Sequence, residues 1–232
     1  NLDELKQYRD KMLRRGAQRR SAGVFDLVVV GGGVAGISAA VAAARLGLKV
    51  ALVQNRPVLG GNNSSEVRVH LGGRINTGKY PRLGDLQKEF APTLEGNAMP
   101  AENYADDRKL QFVKAQPSVS LFLNHVYGVR LKGNKTSNAG CCEASGDANG
   151  GSASKITCCS NTQSAACTTS NTAINHDNTI EAVVAMNILT GEEISFEAPL
   201  FADCTGDATL GVLAGARYAM GREAKTDYDE DL

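Results

Sequence analysis

The stretch Asp26-Leu-Val-Val-Val-Gly-Gly-Gly-Val-Ala-Gly36 constrains this chain more than any other. Leu27 to Val30 is a short, mostly β-branched apolar run, the composition of a strand buried on both faces. Gly31, Gly33 and Gly36 follow in G-x-G-x-x-G spacing, and a small-residue segment with helical character runs on to Arg45. Each glycine has its own task in such a turn. Gly31 permits the tight reversal, Gly33 lets a diphosphate approach the backbone, and Gly36 lets the helix pack close to the strand. The first helical residues, Val34 and Ala35, bring free N–H groups and the positive end of the helix dipole. Gly47 is placed to end that helix, and Lys49 to Val53 reads as a second strand. This β-α-β frame turns a weak glycine pattern into a dinucleotide-binding reading. The plain alternative is a glycine-rich turn that binds nothing.

The 232 residues suffice for one large domain or two small ones, and 42% hydrophobic residues suffice for a sizeable core. The 25 basic and 25 acidic residues cancel, so no electrostatic argument points to nucleic acid. Tryptophan is absent and aromatics reach 5%, which argues against stacking platforms for bases. No apolar run approaches the roughly 18–20 residues of a membrane span. The N-terminus is charged and lacks the apolar region of a signal peptide, yet the chain starts at Asn1 rather than Met. The cytoplasm is the preferred compartment, with the periplasm and secretion left open.

Residues 1–23 read as a helical lead-in to a domain spanning 24–232. Leu2, Leu5, Tyr8 and Met12 fall at helical spacing over Asn1 to Arg20. The basic cluster Arg14 to Arg20 reads as a solvated face rather than a phosphate contact. After the second strand, Pro57 and the Gly60-Gly61-Asn62-Asn63 cluster mark a loop with positive-φ positions. Val67 to Leu71 alternates, as a strand or an extended loop. Leu83 to Ala91, stopped by Pro92, and Tyr104 to Lys114 read as helices. Ser118 to Asn124 reads as a third buried strand and Tyr127 to Leu131 as a fourth. Strands are expected again at Thr179 to Ile188, Glu192 to Glu197 and Pro199 to Ala202, then a helix over Ala208 to Ala214.

Residues 133–177 stand apart. They hold no proline and no aromatic residue, only Ile156 and Ile174 as large aliphatics, and otherwise mostly Ser, Thr, Asn, Gly, Ala and Cys. Such a stretch has too little apolar surface to build a core and reads as a flexible excursion from a hairpin. Five of the six cysteines lie in it: Cys141, Cys142, Cys158, Cys159 and Cys167. Their spacing matches neither a zinc knuckle nor a C-x-x-C redox pair, so no metal site is expected. Stapled and free-thiol forms both stay open.

In nucleotide-binding β-α-β units an acidic residue after the second strand accepts bonds from the adenosine ribose. Here that position is Gln54, followed by Asn55 and Arg56. An uncharged amide with an arginine close by keeps NADP in competition on this feature alone.

Two further features weigh against a plain NAD(P) domain: the loop Arg56-Pro-Val-Leu-Gly-Gly-Asn62, and Ala202-Asp-Cys-Thr-Gly-Asp-Ala208 after a meander of strands. With the glycine turn, in this order, they make the chain resemble the FAD-dependent oxidoreductase family with a glutathione-reductase-type FAD domain. The resemblance covers Val24 to Asn124 and Thr179 to Ala216. It implies an α/β fold, a Rossmann-like FAD/NAD(P)-binding domain whose parallel sheet is flanked by helices and joined by an antiparallel β-meander. It implies FAD as cofactor and redox chemistry on a small organic substrate. Gly31, Gly33 and Gly36 would hold the pyrophosphate, and Gln54 would face the adenosine ribose. Gly60, Gly61, Asn62 and Asn63 would wrap the pyrophosphate and ribityl side. Backbone groups near His125 or Val126 would serve the adenine. Thr205, Gly206 and Asp207 would match the family's Thr-Gly turn beside the cofactor.

His70, with Arg68, and His125 flank these segments. Each reads first as a satisfied structural histidine, and His70 second as a group for an anionic substrate or a reduced flavin. Asp207 stays open between ribose contact and helix cap. No catalytic residue is assigned. Family members carry a substrate domain beyond the Thr-Gly turn, whereas this chain ends at Leu232, so the expectation is a fragment or a minimal cofactor domain. Rival readings are a dinucleotide-sensing or NAD(P)-binding module without redox catalysis, and a transferase or tRNA-modifying relative on the same fold.

Overall fold

Val28, Val29 and Val30 have no solvent exposure, and neither do Val50 to Val53. In the computed structural model they form the centre of a parallel sheet. The structure describes residue 4 and residues 20–72, 76–91, 96–132 and 179–219. The expected helical lead-in before residue 20 (Glu4 apart), the excursion 133–177 with its five cysteines, and the end of the chain lie outside the described residues.

The parallel sheet has the order β4 (Val119–Phe122), β3 (Val50–Val53), β2 (Leu27–Val30), β8 (Leu200–Asp203). Its register is unbroken. Leu27 pairs with both Val50 and Leu200, and Val30 with both Val53 and Asp203, while Val53 pairs with Phe122. The carboxyl ends of four strands therefore form one row, and the residues that follow them emerge side by side. β4 lies at the edge and is half-buried along its length, not fully buried as its apolar composition suggests.

Alternation along the strands divides the core. Val29, Val50 and Leu52 face helix α1 (Val34–Arg45), α2 (Asp85–Phe90) and α3 (Asp106–Lys114), packing with Ile37, Val41, Phe90 and Val113. Val28, Val30, Ala51 and Val53 face the opposite way, onto Phe25, Val183, Ile194 and Phe196. These belong to or adjoin a second sheet in the order β1 (Arg20–Val24), β7 (Glu193–Glu197), β6 (Ile180–Asn187), β5 (His125–Leu131). β5, β6 and β7 are the expected antiparallel meander. β1 is an addition. It pairs parallel to β7, so Arg20 belongs to a strand rather than to the end of a helix. The layers are thus helices, parallel sheet and meander sheet. Each fully buried Val, Leu, Ile or Phe contributes about 1.5–3 kcal/mol.

Local rules account for several boundaries. At the end of α1, Gly47 takes φ 92°, its N–H donates to Ala44 O and that of Leu48 donates to Ala43 O. That is the Schellman pattern, for which glycine is the usual residue. The expected helix from Tyr104 is divided: a 3₁₀ turn covers Ala101–Tyr104, Ala105 takes φ 50°, and α3 starts at Asp106. Val67 to Leu71 is loop, not strand: Val67 ends a turn and Arg68 takes φ 62°. The short helix α4 (Thr209–Leu213) follows β8. At the mouth of the excursion, Lys132 N–H donates to Thr179 O at 2.9 Å, so the chain leaves and rejoins the sheet at one point. Among the described residues no helix is long and apolar enough to cross a membrane.

Candidate functional site

The turn after β2 is fixed from both sides. Gly31 N–H donates to Val53 O and Cys204 N–H to Val30 O, each at 2.8 Å. Gly31 has φ 100°, and a Cβ there would lie 2.3 Å from Cys204 O. A Cβ on Gly36 would lie 1.8 Å from Gly31 O, so the first turn of α1 packs directly on the glycine turn. Gly33 differs: its hypothetical Cβ meets only Gly61 Cα, at 3.9 Å. The space beside Gly33 is open. Among the described residues no side chain caps the N-terminus of α1.

A second turn approaches this one. Gly60 N–H donates to Gly32 O at 2.8 Å, and Gly33 and Gly60 form a parallel bridge. Gly60 and Gly61 both have positive φ, the conformation their glycine pair suggests. Beside the joined turns, at the carboxyl ends of β2, β3 and β8, lies a cavity of about 480 Å³ lined by both. That size and that place in an open α/β sheet suit a nucleotide-sized ligand.

Most residues singled out from the sequence meet here. Gly31, Gly33, Val34 and Ala35 line one side, Gln54, Asn55 and Arg56 a second. Gly60, Gly61, Asn62 and Asn63 form a third side, and Thr205, Gly206 and Asp207 a fourth. Gly36 supports the turn from behind without lining the cavity. His125 and Val126 do not line it either. His125 is buried in the core, with its N–H bonded to Gln54 O at 2.9 Å, Nδ1 2.6 Å from Leu123 O, and its ring edge-on to Phe122. Val126 is an exposed residue of β5.

Gln54 lines the cavity but directs its amide into the protein. Oε1 accepts the Gly32 N–H at 2.7 Å and Nε2 donates to Val58 O at 3.2 Å. The glutamine therefore ties the glycine turn to the following loop. Arg56 sits at the rim, 3.5 Å from Glu66. Asn63 Nδ2 donates to Val69 O at 3.0 Å, while its buried Oδ1 has no partner among the described residues.

The fourth side is organised by Asp203. Its carboxylate accepts the Thr205 hydroxyl at 2.7 Å, the Thr205 N–H at 3.1 Å and the Gly211 N–H at 2.9 Å. Thr205 Oγ1 in turn accepts the Thr209 N–H at 2.9 Å. Asp203 and Thr205, not Asp207, thus tie down the start of α4, and Asp207 stays exposed at the cavity. Partial burial of Asp203 works to raise its pKa, but the bonds from Gly211, Thr205 and Leu210 outweigh it and hold the carboxyl below its usual range.

Tyr127, His70 and Cys204 also line the cavity. Burial raises the Tyr127 phenol, with Asp203 and Asp207 adding to the effect, so it presents a neutral O–H. Burial, then Asp203, raises the Cys204 thiol, which disfavours a nucleophilic thiolate. His70 Nδ1 lies 2.6 Å from Asn97 Oδ1. Arg68, paired with His70 on sequence grounds, points its Nε to Ser65 O instead. Tyr127 had a weak signal in the sequence, one aromatic residue in an alternating strand. Among the described residues no cluster of His, Cys, Asp and Glu could hold a metal ion.

Comparison with known proteins follows the same line. The family model described as FAD dependent oxidoreductase matches residues 26–231. Among solved structures the chain is similar to L-proline dehydrogenase from P. horikoshii, with 17% identity and TM-score 0.37, over 81% of this chain and 24% of that one. It is similar to Thermovibrio ammonificans THI4, with 16% identity and TM-score 0.46, over 91% of this chain and 66% of that one. A geranylgeranyl bacteriochlorophyll reductase-like protein from Thermoplasma acidophilum matches with 14% identity and TM-score 0.42, over 86% of this chain and 44% of that one. The chain thus spans between about a quarter and two thirds of the length of these three proteins.

Proposed function

The chain belongs to the FAD dependent oxidoreductase family, and from that premise we propose that it binds FAD in this cavity and serves redox chemistry on a small organic substrate. One observation carries the reading. The N-terminus of α1, with no side-chain cap among the described residues, and the bare backbone of Gly33, in contact with the Gly60-Gly61 turn, border one cavity at the carboxyl ends of the strands.

The residues present fit the cofactor. A diphosphate needs N–H donors and a backbone without side chains, and Val34, Ala35, Gly33 and Gly61 supply both. The partnerless Oδ1 of Asn63 is an acceptor for a hydroxyl of the ribityl or ribose units. The neutral Tyr127 O–H and the backbone of Thr205 and Gly206 complete a polar wall. Bound FAD supplies the ring that accepts a hydride or electrons, and the protein supplies binding, orientation and electrostatics. Gln54 holds the glycine turn in shape rather than turning its amide to the ribose.

Titration of purified protein with FAD tests the reading. Saturable quenching of flavin fluorescence with yellow-band absorbance supports it. Selective binding of NADPH with no response to FAD would overturn it and shift weight to Arg56 as a 2′-phosphate contact.

A further inference from the structure

Lys109 has no solvent exposure, although α3 is otherwise a partly exposed, charged helix. Its Nζ donates to Asn63 O at 2.6 Å and to Tyr104 O, with Asp106 Oδ1 at 3.8 Å. Burial pushes the ammonium below the usual lysine range and Asp106 opposes that shift. A buried cation is tolerated only where acceptors replace water, and here both closest acceptors are backbone carbonyls.

One of those carbonyls belongs to Asn63, a residue of the cavity wall. Asn63 N–H donates to Gly60 O at 3.1 Å, closing the turn that contains Gly61. A Cβ on Gly60 would lie 2.3 Å from Asn63 O and 3.1 Å from Lys109 Cδ, so the lysine packs directly behind this turn. The same end of α3 holds the rest of the loop. Asp106 accepts the Ser65 N–H at 3.2 Å and the Ser65 hydroxyl, and the Tyr104 hydroxyl donates to Arg68 O at 2.6 Å.

We propose that Lys109 is a positioning residue for the dinucleotide: through the Asn63 carbonyl it holds the Gly60-Gly61 turn against Gly33 and so shapes the bare backbone surface that receives the diphosphate. The ligand in this statement rests on the FAD reading; the hold on the turn does not. A lysine that merely filled core volume would be replaceable by methionine without local consequence. Bonds directed at one turn predict a local consequence.

The test compares wild type, Lys109→Met and Lys109→Gln by hydrogen exchange of the ligand-free full chain and by FAD titration. Lys109→Met should speed exchange over residues 60–69 while β2 and β3 stay protected, and should weaken FAD binding by about tenfold, the loss expected for a bond to a charged donor. Lys109→Gln keeps an N–H donor and should fall between. Unchanged exchange over 60–69 and unchanged FAD affinity in both variants would overturn the proposal. Loss of protection throughout the sheet, or failure of both variants to fold, would also overturn it and make Lys109 a residue of general stability. If only Lys109→Met fails to fold, Lys109→Gln decides by the same two readouts. A wild type that ignores FAD, with 60–69 still loosened in Lys109→Met, would sink the FAD reading and uphold the hold on the turn.

Discussion

Gly33 and Gly61 come together from two separate turns, and a Cβ on Gly61 would lie 3.2 Å from Gly33 Cα. The two turns are joined next door by the Gly60 N–H bond to Gly32 O. This pairing of bare backbone beside an uncapped helix end is the centre of the cofactor reading, because an anion needs donors without a side chain in the way.

The three glycines of the first turn should separate in their effects. Gly36→Ala would press a methyl group onto Gly31 O, a clash that the rigid turn cannot relieve cheaply. A loss of more than about 2 kcal/mol is expected, in the range of overpacked cores. Urea denaturation measures it, and wild-type stability would mean that the helix does not pack on the turn this closely.

Gln54→Leu should also destabilise, by about 1–3 kcal/mol, because it leaves the buried Gly32 N–H without its acceptor. FAD affinity should fall with it, since Gly32 precedes the open glycine. A variant with wild-type melting temperature and wild-type affinity would show that this bond does not hold the turn.

Asp203 gives the turn after β8 an acid sensitivity. Its folded pKa is depressed, so the stability it contributes is present in full above the usual carboxylate range and is lost as pH falls through the folded value. Asp203→Asn should therefore melt below wild type near neutrality, with the gap closing in acid. A gap that stays constant from neutrality down to strong acid would show that the carboxylate charge is not what ties Thr205 and Gly211.

Replacing residues 133–177 by a short Gly-Ser turn should preserve the fold and FAD binding. The Lys132–Thr179 bond already brings the ends of the segment together, and loop closure becomes only slowly more costly with length. A large drop in melting temperature, or loss of FAD, would make the segment structural.

What could be read from the sequence was what local chemistry decides. β2, α1, the Gly47 stop and the paired glycines of the loop follow from short-range pattern and from φ values that only glycine takes easily. Non-local partners were the obstacle elsewhere. β1 is Arg-Ser-Ala-Gly-Val, without strand pattern, and its Arg20 bonds Glu192 from 172 positions away. Lys109 reads as one more surface charge until the carbonyls of Asn63 and Tyr104 surround it. Gln54 falls at the position that usually contacts ribose, and only the approach of Gly32 shows its amide turned inward. His125 and Val126 follow β4, where the resemblance has backbone groups serving the adenine, but only the tertiary approach of Gln54 shows the His125 N–H bonded to Gln54 O.

The most direct test of the central claim is the FAD dissociation constant of wild type against Gly33→Val, with circular dichroism confirming the fold. Gly33 has φ −70°, and a Cβ there would meet Gly61 Cα at an ordinary 3.9 Å, so the backbone accepts a side-chain residue. The account predicts a folded variant whose affinity is weakened by about a hundredfold or more, a difference near 3 kcal/mol. A folded Gly33→Val protein that binds FAD as tightly as wild type would place the diphosphate elsewhere and contradict the account.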